Sequence, residues 1–206
     1  MSPDCLDLLF HPGKFFAGKN TEPPDFIVPV LIVGSISLLL LILPYFPEVF
    51  FPHTVPVTVV VALPDTVMSV AGPFIAWFLI SLGLFAICRS FSGTGTFPAT
   101  LRYAGYGMLP ITLVNLILVL TSPFLSPEYI AMIPLWSMMA IIYGEFVIMV
   151  VFLVWSGYLW MNAMEKAHAI PQRQAFIAAT ASVFIYIVWG ILKVLILALS
   201  ARILHL

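Results

Sequence analysis

Long apolar stretches without a charged residue constrain the fold of this 206-residue chain more than any other feature. A helix that crosses the hydrocarbon of a bilayer needs about 20 predominantly apolar residues. The uncharged stretches cover residues 26–47, 66–88, 103–127, 129–144, 146–164 and 174–192. Charged residues make up only 8% of the chain, whereas soluble proteins carry about 25%. The sequence therefore predicts an integral, multi-pass membrane protein.

The few charges and cysteines exclude several other classes of protein. Eight Lys and Arg against nine Asp and Glu give a net charge of −1, so no nucleic-acid partner is expected. Cys5 and Cys88 are too few for a disulfide framework and lack the spacing of metal ligands. The first 25 residues contain no apolar core of a signal peptide, so we expect no cleavable leader.

Five spans account for the uncharged stretches, because only Glu145 interrupts the fourth and fifth of them. The sequence thus predicts an all-α fold, a bundle of five transmembrane helices. Residues 1–25 form an N-terminal segment, and residues 26–206 form a single five-span transmembrane domain. The predicted spans are residues 26–43, 66–88, 103–121, 135–159 and 175–199.

A sixth span could be drawn through Val49–Pro64, which is apolar but short. Pro52, Pro56 and Pro64 break any helix there, and the valines favour an extended chain. Extended backbone cannot face lipid, because its polar groups would lack partners. Residues 44–65 are therefore predicted to be a loop on the outer side.

The distribution of Lys and Arg predicts the orientation of the bundle. With five spans and the N-terminus inside, six basic residues lie on the cytosolic side and only Arg202 lies outside. Six spans would place three inside and four outside, which argues against that count. The N-terminus is therefore predicted inside and the C-terminus outside.

The six cytosolic basic residues are Lys14, Lys19, Arg89, Arg102, Lys166 and Arg173. They are expected to attract anionic lipid headgroups, although a topology signal without a lipid role explains them equally well.

The N-terminal segment has the pattern of a short amphipathic helix lying in the membrane interface. Leu6, Leu9 and Phe10 share one helical face, and Asp7 and His11 share the other. The alternative is a segment without fixed structure.

No arrangement of residues indicates catalysis, a cofactor or a metal. Gly93–Thr96 has two glycines, but no strand precedes it and no lysine follows, so it is interpreted as a flexible connector. The sequence contains no nucleophile elbow and no zinc-protease helix motif, and the four histidines fall on both sides of the membrane. The protein is therefore predicted not to be an enzyme, with no catalytic residues, no metal site and no cofactor.

Three polar residues lie inside the predicted spans: Asn115, Glu145 and Lys193. Charge within the membrane is costly and usually pairs with another group. We predict an intramembrane polar cluster in which Glu145 and Lys193 form an ion pair between helices. A proton or ion route, or separate snorkelling of Lys193, are the alternatives.

The start of the third span carries a family resemblance. It is Arg102-Tyr103-Ala104-Gly105-Tyr106-Gly107-Met108-Leu109-Pro110. This resembles the Tyr-x-Gly-Tyr…Leu-Pro segment of the YIP family, membrane proteins named for interaction with Rab-type GTPases. The matching residues are Tyr103, Gly105, Tyr106 and Pro110. Phe15 and Phe16 are similar to the N-terminal Phe-Phe pair of prokaryotic members.

The resemblance implies five spans and a cytosolic N-terminus, but little about function. The chain lacks the acidic Asp-Leu-Tyr-Gly-Pro segment of eukaryotic members, which indicates a short prokaryotic-type member in the cytoplasmic membrane. The expected function is a non-enzymatic one, through membrane lipids or through membrane or cytosolic protein partners, and a homo-oligomer is compatible with it. The alternative is a small transporter or channel subunit that uses Glu145 and Lys193.

Overall fold

The computed structural model describes residues 3–19, 25–46, 63–125 and 132–204. Within these ranges all regular secondary structure is helical and there is no strand, which confirms the all-α prediction. The helices are α1 (Pro3–Phe10), α2 (Pro12–Lys19), α3 (Ile27–Ile42), α4 (Leu63–Ser90), α5 (Phe97–Tyr106), α6 (Leu109–Thr121), α7 (Leu135–His168) and α8 (Gln172–Leu204). A 3₁₀ turn at Ser122–Leu125 follows α6.

Four apolar helical segments in the described ranges are long enough to cross a membrane. They are Pro64–Ser90, Phe97–Phe124, Leu135–His168 and Gln172–Ser200. The remaining apolar helix, α3, has 16 residues and is about 24 Å long at 1.5 Å per residue. Most of the predicted outer loop, residues 47–62, lies outside the described residues.

The third predicted span is interrupted in the structure. Residues 103–121 were predicted as one helix, but α5 ends at Tyr106 and α6 begins at Leu109. Pro110 explains the new helix start, because its ring fixes a helical φ angle and its missing N–H is not needed in a first turn. The turn at Gly107 and Met108 thus divides the segment within the membrane domain.

The two ends of the bundle are packed differently. At one end, which we call the packed end, α4 and α7 finish, α5 and α8 start, α2 lies against α7, and α1 lies against α2. The buried aromatic residues Phe16, Tyr103 and Trp160 are all there. At the other end, the open end, α7 and α8 expose large apolar side chains such as Trp136, Phe146 and Val194. Such a surface fits a lipid environment.

Candidate functional site

The exposed basic residues gather at the packed end. Lys14 lies on α2, Arg89 in the last turn of α4, Lys166 near the end of α7, and Arg173 in the first turn of α8. Lys14, Arg89 and Arg173 are exposed, and Lys166 lies 2.8 Å from Glu165. Lys19 ends α2, but its side chain lies outside the described part of the structure. The structure therefore brings these positions to one end of the bundle.

Arg102 has a different environment from the other basic residues. Only 4% of its surface is exposed. Its Nη2 donates to the Tyr103 hydroxyl at 2.8 Å, and its guanidinium carbon lies 4.6 Å from the centre of the Tyr103 ring. A buried guanidinium above an aromatic face is a cation–π contact. Arg102 is thus part of the core of the packed end and not a surface contact for headgroups.

The family-like segment forms the centre of the packed end. The Tyr103 ring meets the Phe16 ring edge-on, with centroids 5.3 Å apart, and Tyr106 meets Phe15 at the same distance. Edge-to-face geometry is a favoured arrangement of aromatic pairs. The Phe-Phe pair of α2 and the Tyr-x-Gly-Tyr segment of α5, which are far apart in sequence, are therefore packing partners.

Two tryptophans fix the backbone of this segment. Trp77 Nε1 donates to the Leu101 carbonyl at 2.8 Å, and Trp160 Nε1 donates to the Ala104 carbonyl at 3.0 Å. The glycines make these approaches possible. A Cβ on Gly105 would lie 2.6 Å from the Pro29 Cβ, and a Cβ on Gly107 would overlap the Trp160 indole. The sequence showed the glycines and the tryptophans, but it could not show which of them meet.

The Gly93–Thr96 loop is fixed around His168 and is not the flexible connector that was predicted. Its Thr94 N–H donates to the His168 carbonyl at 3.0 Å. The fully buried His168 ring shares a 2.8 Å hydrogen bond between its Nε2 and the Thr100 hydroxyl. A Cβ on Gly95 would lie 2.8 Å from the His168 ring. The two glycines are needed for close packing, and the loop locks the α7–α8 turn to the start of α5.

The three intramembrane polar residues divide into two groups. Glu145 Oε1 accepts a hydrogen bond from the Thr121 hydroxyl on α6 at 2.6 Å. Asn115 and Lys193 instead line one cavity, and the Asn115 amide donates to the Ile111 carbonyl at 2.7 Å. Both Glu145 and Lys193 are described, and no ion pair joins them in the structure. The reason is directional, because Glu145 faces α6 while Lys193 faces the cavity.

This cavity, which we call the central cavity, lies among α3, α4, α6, α7 and α8 and has a volume of about 240 Å³. Its wall includes Pro73, which lies within α4, and Met108, which lies at the break between α5 and α6. The lining residues are Ile36, Leu40, Gly72, Pro73, Ala76, Met108, Asn115, Met149, Tyr186, Trp189, Gly190 and Lys193. No cluster of three or more His, Cys, Asp or Glu side chains that could hold a metal occurs among the described residues.

Comparisons with known proteins identify the family of this chain. The chain is 28% identical over 112 residues to the uncharacterized protein MJ0794 of the archaeon Methanocaldococcus jannaschii, covering 52% of this chain and 79% of that protein. No solved structure matches the chain. The family model named Yip1 domain matches residues 6–193, a range that includes α2, the Tyr-x-Gly-Tyr segment and the central cavity. The chain belongs to the Yip1 domain family, as its third span indicated.

Proposed function

We propose that this Yip1-domain protein is a non-enzymatic, five-span protein of a prokaryotic cytoplasmic membrane that binds anionic lipids and protein partners at its packed end. The observation that carries the proposal is the convergence of basic side chains from four helices at that end. Basic residues are retained on the cytosolic side of membrane proteins and attract anionic headgroups. The packed end is accordingly the cytosolic end in this proposal.

The first helix supports the same role. In α1, Leu8 is 3% exposed and packs into the core, whereas Leu6 is 48% and Phe10 is 65% exposed. Beyond this helix, the ammonium of Lys14 lies 3.5 Å from a carboxylate oxygen of Asp7. Apolar side chains outside the core and charges beside them are typical of a helix that lies in the membrane interface. We infer that α1 is anchored by Leu8 and inserts Leu6 and Phe10 among headgroups.

The fifth span in this proposal is α3. At about 24 Å it is shorter than the roughly 30 Å of hydrocarbon, a mismatch that a bilayer accommodates by local thinning. Ile27, Leu31 and Leu38 are exposed along α3 while Ile32, Val33 and Ile36 are buried in the core. One face toward lipid and one toward the bundle is the arrangement of a peripheral transmembrane helix.

Lipid retention tests the proposed role. Lys14→Gln, Arg89→Gln and Arg173→Gln are combined, and the ratio of phosphatidylglycerol to phosphatidylcholine kept by the purified protein is measured by native mass spectrometry. At about 1 kcal/mol per basic residue near an anionic surface, removal of three should lower the preference by about two orders of magnitude. Tyr143→Phe, an exposed side chain in the half of α7 away from the packed end and outside the cavity lining, is the control and should leave the ratio unchanged. An unchanged ratio in the triple variant would refute lipid binding at this end.

A second function, a small transporter or channel subunit, is favoured by one observation, the central cavity with Lys193 in its wall. Solute flux in proteoliposomes, compared between the unaltered protein and Lys193→Met, tests it. The structure makes Lys193→Met a sharper test than Glu145→Gln, since Glu145 is engaged with Thr121 away from the cavity lining.

A further inference from the structure

The central cavity contains polar side chains that the protein itself leaves without partners. Tyr186, Trp189 and Lys193 line it from α8, and Asn115 lines it from α6. Within the described part of the chain, no hydrogen bond or ion pair engages the Tyr186 hydroxyl, the Trp189 indole N–H or the Lys193 ammonium group. Unpaired polar groups are costly in a membrane interior, so such a set calls for a partner from outside the protein.

The chemistry of these groups specifies that partner. An ammonium group carries three N–H donors, an indole one and a phenol one, and the second amide N–H of Asn115 adds another. No carboxylate is among the residues that line the cavity. About six donors and one positive charge suit an oxyanion. These donors outnumber the roughly four lone-pair sites of a carboxylate. A phosphate group has more acceptor oxygens and is therefore the better match.

The size of the cavity limits what can enter. Its volume of about 240 Å³ is below the roughly 300–1,000 Å³ of sites for drug-sized ligands and corresponds to about eight water molecules. A phosphate group fits this space and a whole lipid does not. We propose that the central cavity binds a phosphate group, either as free phosphate or as the headgroup of a lipid, between Lys193, Tyr186 and Trp189.

Asp65 allows a prediction of the direction in which phosphate affinity changes at this site. It is exposed in the first turn of α4, which packs against α8, and it lies in the same half of the bundle as Lys193, although no ion pair joins the two. Its negative charge opposes a second anion near Lys193. Asp65→Asn should therefore tighten phosphate binding. If Lys193 serves only to balance the charge of Asp65, neither the unaltered protein nor the Asp65→Asn variant should bind phosphate.

The experiment uses the full chain and two probes. In detergent, inorganic phosphate is titrated against chloride at constant ionic strength, and the dissociation constant is taken from the rise in the unfolding temperature. In lipid nanodiscs, phosphatidylcholine is compared with the same lipid containing phosphatidic acid. Saturable stabilisation by inorganic phosphate supports a site for free phosphate, and stabilisation by phosphatidic acid alone supports a site for a lipid headgroup.

The variants separate this site from the packed end. Lys193→Met should weaken binding at least tenfold and Tyr186→Phe, which keeps the ring, several-fold. Lys166→Met is the control and should leave the dissociation constant unchanged. The triple packed-end variant should also retain cavity binding, so failure of one proposal does not imply failure of the other. Either of two results would overturn the proposal. The first is that neither probe gives saturable stabilisation, and the second is that Lys193→Met and Tyr186→Phe bind phosphate as tightly as the unaltered protein.

Discussion

At the scale of single residues, the packed end depends on glycines, which have no side chain, as much as on its aromatic residues. Gly105 and Gly107 let α5 approach Pro29, Trp77 and Trp160 so closely that a methyl group has no room. Close approach of this kind is how membrane helices gain packing energy where the hydrophobic effect between helices is weak. The family-like glycines are thus explained by packing.

The first prediction concerns Gly107→Ala. The added Cβ would overlap the Trp160 indole, so either the ring or the backbone must move and the Trp160–Ala104 hydrogen bond is strained. Overpacking typically costs about 1–3 kcal/mol in unfolding free energy. Thermal unfolding in detergent measures it. Gly144→Ala is the matched control, because nothing lies within 4 Å of its Cβ position, and it should be neutral or slightly stabilising. Equal effects of the two changes would contradict the packing described here.

The second prediction concerns Glu145. Since its carboxylate accepts from Thr121, Glu145→Gln and Thr121→Val should be non-additive in a double-mutant cycle, with a coupling of about 0.5–2 kcal/mol. Glu145→Gln and Lys193→Met should add simply, because no contact joins those two side chains. Unfolding in detergent of the singles and both doubles measures the couplings. A coupling between Glu145 and Lys193 larger than that between Glu145 and Thr121 would restore the ion pair predicted from sequence.

At the scale of elements, hydropathy predicted the apolar helices well but not their side-chain partners. Uncharged runs located the long helices, because crossing hydrocarbon demands length and apolarity. The break at Gly107 and Met108 was not predicted, since Pro110 is compatible with either a kink or a helix start. The partners of Glu145 and Lys193 were not predictable either. They depend on the rotation of α7 and α8 about their axes, which nearly uniform hydrophobicity does not encode.

The third prediction concerns α1 and separates its two apolar contacts. Leu8→Ala removes a side chain buried in the core and should lower stability by about 2–4 kcal/mol, as core truncations do. Phe10→Ala removes an exposed ring and should leave stability in detergent nearly unchanged while reducing the protection of α1 from hydrogen exchange in liposomes. If Phe10→Ala destabilises the protein in detergent as strongly as Leu8→Ala, the interfacial role of α1 is wrong.

At the scale of the whole molecule, the protein has a packed, basic end and an open, apolar end, with a cavity between them. The order of helices α3 to α8 places the ends of α4 and α7 beside the starts of α5 and α8. Short connections there keep successive helices adjacent. The packing shows that these helix ends lie together, and the bias of Lys and Arg predicts that they face the cytosol.

The side of the membrane on which each end lies is the central claim, and cysteine accessibility tests it most directly. In a background with Cys5 and Cys88 replaced by alanine, Lys14→Cys and Asp65→Cys are labelled with a membrane-impermeant maleimide before and after the membrane is opened. Both native residues are exposed, and they lie on opposite sides of α3 in the sequence. We expect position 14 to react only from the cytosolic side and position 65 only from outside. Reaction of both positions from the same side would mean that α3 does not cross the membrane, and would contradict the five-span arrangement.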